Sequence, residues 1–271
     1  MSKPRCQCDP GCKETPLKDS PFCHMHQKCT RKSPLTGAEP AYDPAKYNKF
    51  KGMKEAQNCF AYAFNYKKLP KSCTKRKCSK AFPQPGRKSG YPKWSKVDGK
   101  RCPDLIARVI GDIPGVSLTN FTDACPKNKY KIALVTDEDQ DYHFYRQDSN
   151  GYWSHKPGAT DVIRTDATGR AIYDPALASR AYSSSGLDYD NFCGYMCVPS
   201  TRRITLKRSG GGGHPPSAAS PLNPLLGRTL KRQVGRNSTL LGRNSFTYPR
   251  SGRTLKRRSQ TPHKKRKTTT K

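Results

Sequence analysis

The chain has 271 residues, with 52 Lys or Arg against 20 Asp or Glu, a formal net charge of +32, and only 33% of it is AVILMFWYC. With 23 prolines and 21 glycines among the rest, one core spanning the whole length is excluded, and the charge points to a polyanionic partner. No stretch approaches a transmembrane span, and the opening "MSKPRCQCDPGCK" lacks the apolar segment of a secretory signal, so the twelve cysteines are expected as metal ligands and free thiols rather than disulfides.

Residues 1–40 hold five cysteines and two histidines among turn formers. Cys8 and Cys12 lie on one turn, and Cys23 and His26 on another, a spacing able to close a tetrahedral zinc site with Cys29 in reserve. Cys6 and Cys29 compete with Cys8, and His24 with His26. So small and polar a segment needs a staple to fold, and structural zinc is the expected cofactor. No open catalytic metal site is implied.

Residues 41–200 carry the periodic apolar pattern of an α+β domain. "QNCFAYAFN", residues 57–65, reads as a helix opened by Asn58, with Cys59 in its first turn and Phe60 and Phe64 toward a core. There the helix N-terminus favours a thiolate, although a cysteine so placed also serves simply to pack. Around Cys73 and Cys78, Lys71, Lys75, Arg76, Lys77 and Lys80 form a basic patch. A second metal site could draw on Cys73, Cys78, Cys193 and Cys197, with packing the expected role of the last two. "RCPDLIARVIGDIPG", residues 101–115, reads as a helix with Pro103 near its start and Leu105, Ile106, Val109 and Ile110 as its apolar face. "YKIALVT", "DYHFYRQ" and "YWSHK" read as a three-stranded antiparallel meander over residues 130–156. His143 lies within its second strand and His155 ends its third. A first-turn cysteine with a histidine on a following sheet suits thiol-dependent hydrolysis. Asp161, Asp148, Asn150 and Asp141 are the candidates to orient the imidazole.

Residues 201–271 contain 19 Lys or Arg and no acid, and cannot bury much apolar surface. "TLKR" recurs at 205, 229 and 254, and "GRNS" at 235 and 242. The repeats suggest equivalent contacts on a repetitive partner. Lys207, Arg208, Lys231, Arg232, Lys256, Arg257, Lys264, Lys265, Arg266 and Lys267 are the expected nucleic-acid contacts.

Gly11-Cys12, Phe22-Cys23, His26 and Cys29 resemble small zinc-knuckle segments, which act as structural or binding modules. Asn58, Cys59, Tyr62, Ala63 and Asn65, together with "HFYRQD" and "WSHKPG", resemble a group of bacterial and large DNA virus proteins similar in outline to papain-like, NlpC-type and CHAP-type thiol hydrolases. The resemblance implies a papain-like or NlpC-like core with Cys59 as nucleophile, His143 as base and His155 as the alternative base, and Asp161 is taken as the third member. It implies a virion-associated peptidase or amidase acting on a peptide or peptidoglycan-like substrate. The competing expectation is a non-enzymatic minor capsid or core protein, its tail gripping virion proteins or genome. Either would reside in the virion, and in the host nucleus or cytoplasm before assembly.

Overall fold

A computed structural model describes residues 4–79, 81–94, 99–200 and 205–207. The chain divides into units 1–219 and 220–271, and the second lies outside the described residues. All the expected tail contacts except Lys207 also lie outside them. Among the described residues no helix is long and apolar enough to cross a membrane.

The fold is α+β. Short helices α1 (Ala45–Asn48), α2 (Lys51–Ala56) and α3 (Cys59–Ala63) precede the longer α4 (Cys102–Asp112). Strands β1 (Ser117–Thr119), β2 (Lys129–Asp137), β3 (Asp141–Gln147), β4 (Trp153–His155) and β7 (Asn191–Pro199) form an antiparallel sheet in the order β1-β7-β2-β3-β4. Strands β5 (Ala181–Tyr182) and β6 (Leu187–Asp188) pair separately. The expected meander is β2-β3-β4, in a register that sets Val135 opposite His143 and Tyr145 opposite His155.

Alternate residues of β3 face opposite sides of the sheet. Phe144 meets Phe60 and Phe64 of the α3 segment, with ring centroids 5.5 and 6.2 Å apart. His143 and Tyr145 face the other side, where Ala133, Val135, Trp153, Ile172, Tyr189 and Tyr195 build an apolar cluster. Asn58 caps α3 by accepting from the Ala61 backbone N–H at 3.1 Å, and its Nδ2 donates to the Pro83 carbonyl at 3.0 Å. That second bond ties the start of the helix to the 82–86 loop. Gly52 in α2 is obligatory for packing: a Cβ there would lie 1.9 Å from the Thr74 carbonyl oxygen.

Eight of the twelve cysteines are paired: Cys8 with Cys29, Cys73 with Cys78, Cys102 with Cys193, and Cys125 with Cys197. This corrects the expectation of thiols and metal ligands throughout. The last two bonds tie α4 and the 120–128 loop to β7, closing loops with sequence separations of 91 and 72. Cross-links of that span restrict the unfolded chain most. The second metal site is corrected as well, because its four cysteines are all spent on disulfides and oxidised sulfur offers no thiolate to a metal.

Candidate metal centre and candidate active site

Cys6 joins Cys12, Cys23 and His26 in a cluster whose ligand atoms all lie within 4.8 Å of one another. The short helical turn over His24–His26 brings the His26 ring inward and leaves His24 exposed. Cys12 Sγ stands 3.8 Å from Cys23 Sγ, and His26 Nδ1 stands 3.5 Å from Cys6 Sγ and 3.2 Å from Cys23 Sγ. A tetrahedral zinc with Zn–S about 2.3 Å and Zn–N about 2.0–2.1 Å would set S···S near about 3.8 Å and S···N near about 3.5 Å. The donor set and its spacing fit zinc. Burial pushes the Cys23 thiol up, but hydrogen bonds with Cys6, His26 and Cys12 outweigh it and hold it at about 7. A sulfur so poised yields the thiolate a metal needs.

The expected ligands were Cys8, Cys12, Cys23, His26 and Cys29. Cys12, Cys23 and His26 lie in the cluster. Cys8 and Cys29 do not, because they are bonded to each other beside it, and Cys6 occupies the fourth corner. The purified oxidised chain is therefore expected to hold one zinc by elemental analysis. Cys6→Ser should abolish stoichiometric binding, while joint Cys8→Ser and Cys29→Ser should leave it in place. Zinc retained by Cys6→Ser and lost by the pair would reverse this ligand assignment.

Cys59 opens α3 and is 5% exposed. Its Sγ lies 3.9 Å from the Tyr142 carbonyl oxygen. Burial is the first cause that pushes its thiol up to about 12, and the Asp141 carboxylate adds to it; backbone N–H groups of Phe144 and Phe60 and the Lys156 ammonium only partly offset them. The sulfur is therefore held as the neutral thiol at pH 7.

His143 and His155 are both buried, and Nε2 of His143 lies 2.8 Å from Nδ1 of His155. Nε2 of His155 lies 2.9 Å from the Thr165 carbonyl oxygen. A carbonyl only accepts, so Nε2 of His155 carries hydrogen. In the neutral pair its Nδ1 then accepts from Nε2–H of His143, which leaves Nδ1 of His143 as the bare base. Burial lowers both imidazoles, His155 to about 4 and His143 well below its ordinary value with His155 adding repulsion. Cys59, His143 and His155 line one cavity of about 600 Å³, together with Asp141, Tyr142 and Tyr189. Among the described residues, Cys59 Sγ makes no hydrogen bond to either ring.

Asp161 takes no part in this chain of contacts. Its carboxylate pairs with Lys54 at 2.9 Å on the surface, with 54% of the side chain exposed. Asp148 pairs with Arg146, and Asn150 accepts from the Tyr152 N–H in an exposed turn. The Thr165 carbonyl holds the imidazole pair instead, a backbone group that no residue-type pattern could single out. Sequence reasoning held Cys6 only as a competitor of Cys8, and it missed the buried Lys156, whose Nζ donates to the carbonyls of Lys54, Gln57 and Gly158 at 2.7–2.8 Å. Lys156 therefore fixes the end of α2 beside the Cys59 turn.

Fold and site together define a disulfide-stapled α+β protein with a three-cysteine, one-histidine metal-type cluster. No family model and no solved structure matches it. Over 152 residues, 56% of this chain and 86% of the relative, it is 33% identical to insoluble matrix shell protein 1 of Ruditapes philippinarum. The chain belongs to the family of that mollusc shell-matrix protein. This corrects the viral and minor-capsid reading, since the relationship runs to an animal matrix protein.

Proposed function

We propose that the chain is a structural component of an insoluble protein matrix, its N-terminal cluster stapled by zinc and its core by disulfides. The observation that carries this reading is the relationship to a shell-matrix protein across 86% of that protein's length. Two features support it. Four disulfides suit an oxidising destination outside a reducing cytosol. A net charge of +32 suits retention by an anionic network. The test is sedimentation of the oxidised full chain with a cross-linked carboxylated polymer. The chain should pellet at low salt, wild type and Cys59→Ala alike, and high salt should release it. A chain that stays in the supernatant at every salt concentration would count against the reading.

A second reading is a cysteine peptidase or amidase on a papain-like or NlpC-like core. The observation that favours it is the shared cavity of Cys59, His143 and His155, with the Thr165 carbonyl fixing the tautomers. On this reading Nδ1 of His143 would accept the Cys59 proton as the sulfur attacks an amide carbon. The protonated ring would then give that proton to the leaving amine, and water would release the acyl group from sulfur. The thiol's high proton affinity weighs against it and favours the structural reading.

A further inference from the structure

The residue between Cys6 and Cys8 is Gln7, only 1% exposed, and its side chain is bonded to residues far along the chain. Nε2 donates to Asp166 Oδ2 at 3.4 Å and to the Ala171 carbonyl at 3.3 Å. Oε1 accepts from the backbone N–H of Tyr173 at 2.7 Å and of Asp174 at 3.1 Å. All four bonds grip one segment, residues 166–174.

That segment is the turn beyond the strand-like stretch covering β4. Backbone bridges join His155 to Ile163, Trp153 to Ile172, and Thr165 to Ala171. Asp166 Oδ1 accepts from the N–H groups of Thr168 and Arg170, and Oδ2 from that of Ser179, so its carboxylate sets the turn. The neighbouring residue, Thr165, supplies the carbonyl that holds Nε2 of His155. One peptide unit thus separates the group Gln7 grips from the group that orients the imidazole pair.

We propose that Gln7 is a positioning residue through which occupancy of the Cys6, Cys12, Cys23 and His26 metal site sets the orientation of His155, and with it His143, in the Cys59 cavity. The proposal rests on the reading of that cluster as a zinc site. Ligation by Cys6 fixes the backbone beside Gln7 and aims its amide at Asp166. Without the metal the segment stays tethered by the Cys8–Cys29 disulfide and by Arg31, whose guanidinium pairs with Asp174 at 2.5 Å. The amide of Gln7, however, loses its fixed direction. The turn at Asp166 then loosens, and the Thr165 carbonyl no longer holds the ring.

The readout is exchange of the His155 Nε2–H proton with solvent, followed by NMR on the oxidised full chain, with zinc content measured in parallel. Loaded wild type should show a slowly exchanging imidazole N–H, and chelation of the zinc should speed its exchange by at least about tenfold. Gln7→Leu, close in size but unable to hydrogen-bond, should keep one zinc and show the fast exchange. Gln7→Glu keeps the acceptor for Tyr173 and Asp174, loses the donor to Asp166, and should also exchange fast. Should either variant fail to fold, the chelation arm on wild type decides alone. Stoichiometric zinc with exchange unchanged by its removal would overturn the coupling and leave the zinc reading intact. Failure of wild type to bind zinc would overturn both, and the metal analysis tells the two cases apart.

Discussion

Arg146→Ala lowers the unfolding free energy by about 3–5 kcal/mol, the cost of leaving a buried charge without its partner. The Arg146 side chain is 2% exposed and that of Asp148 0%. Nε and Nη2 donate to Asp148 Oδ1 at 3.1 and 2.8 Å, Nη2 also donates to the Tyr62 hydroxyl at 2.8 Å, and the guanidinium lies 4.1 Å from the centroid of the Tyr62 ring. Burial already pushes the Asp148 carboxyl up, and the Arg146 charge is the chief force holding it down. Without Arg146 that carboxyl takes up a proton more readily in the folded state. The variant's deficit should therefore shrink as the pH falls toward 5. Urea unfolding at pH 7.5 and pH 5 checks both parts. A double variant, Arg146→Met with Asp148→Leu, removes both charges and should recover most of the loss. A single variant within about 0.5 kcal/mol of wild type would mean that the pair is solvated rather than buried.

The second large effect is acid sensitivity set by the histidine pair. Both imidazoles are lowered in the fold by burial, His155 to about 4 against about 6.5 unfolded. For a base lowered in this way, the unfolded chain binds more protons than the folded one between those values. The stability is whole above about pH 6.5 and falls as the pH drops toward about 4, by about 3 kcal/mol from His155 alone. Asp141 and Asp148 act in the opposite sense, because burial raises their carboxyls and the folded state holds their protons longer. Acid would also protonate the thiolates that a bound zinc needs. The comparison is therefore with His155→Gln, which keeps the other groups. Wild type should lose more stability than this variant between pH 6.5 and 4.5, measured as the shift in urea midpoint. Parallel curves would show that the pair does not titrate in the fold as its burial requires.

Much of the core was legible because it is built from local signals. Asn58 before an apolar helical repeat marked α3, and "YKIALVT", "DYHFYRQ" and "YWSHK" marked β2, β3 and β4. Strand β7 was not read as the central partner of β2, since pairing between residues so far apart leaves no local trace. The disulfides were misjudged for a related reason. The N-terminal sequence carries no sign of the pairing, and Cys102 meets Cys193 only once α4 packs on β7. The metal-type cluster was legible as a class through Cys12, Cys23 and His26, while Cys8, favoured by its spacing from Cys12, and Cys29 are withdrawn from it by their mutual disulfide and Cys6 stands in their place. The histidines were legible as candidates, and their relation to each other was not. Two rings twelve residues apart meet only through the β3–β4 register, and the group that orients them is a carbonyl. Asp161 was chosen for its chemistry, but its side chain lies on the surface with Lys54.

The central claim is that this family member is structural and that Cys59 is a masked thiol. It is tested most directly by the pH profile of Cys59 alkylation in the oxidised, zinc-loaded full chain, read by mass spectrometry of the modified peptide. A buried thiol held near 12 should label slowly at neutral pH, with a rate that is still rising at pH 10. A midpoint below the free-thiol value of about 8.5, raised by His143→Ala, would contradict the account and establish Cys59 as an activated nucleophile.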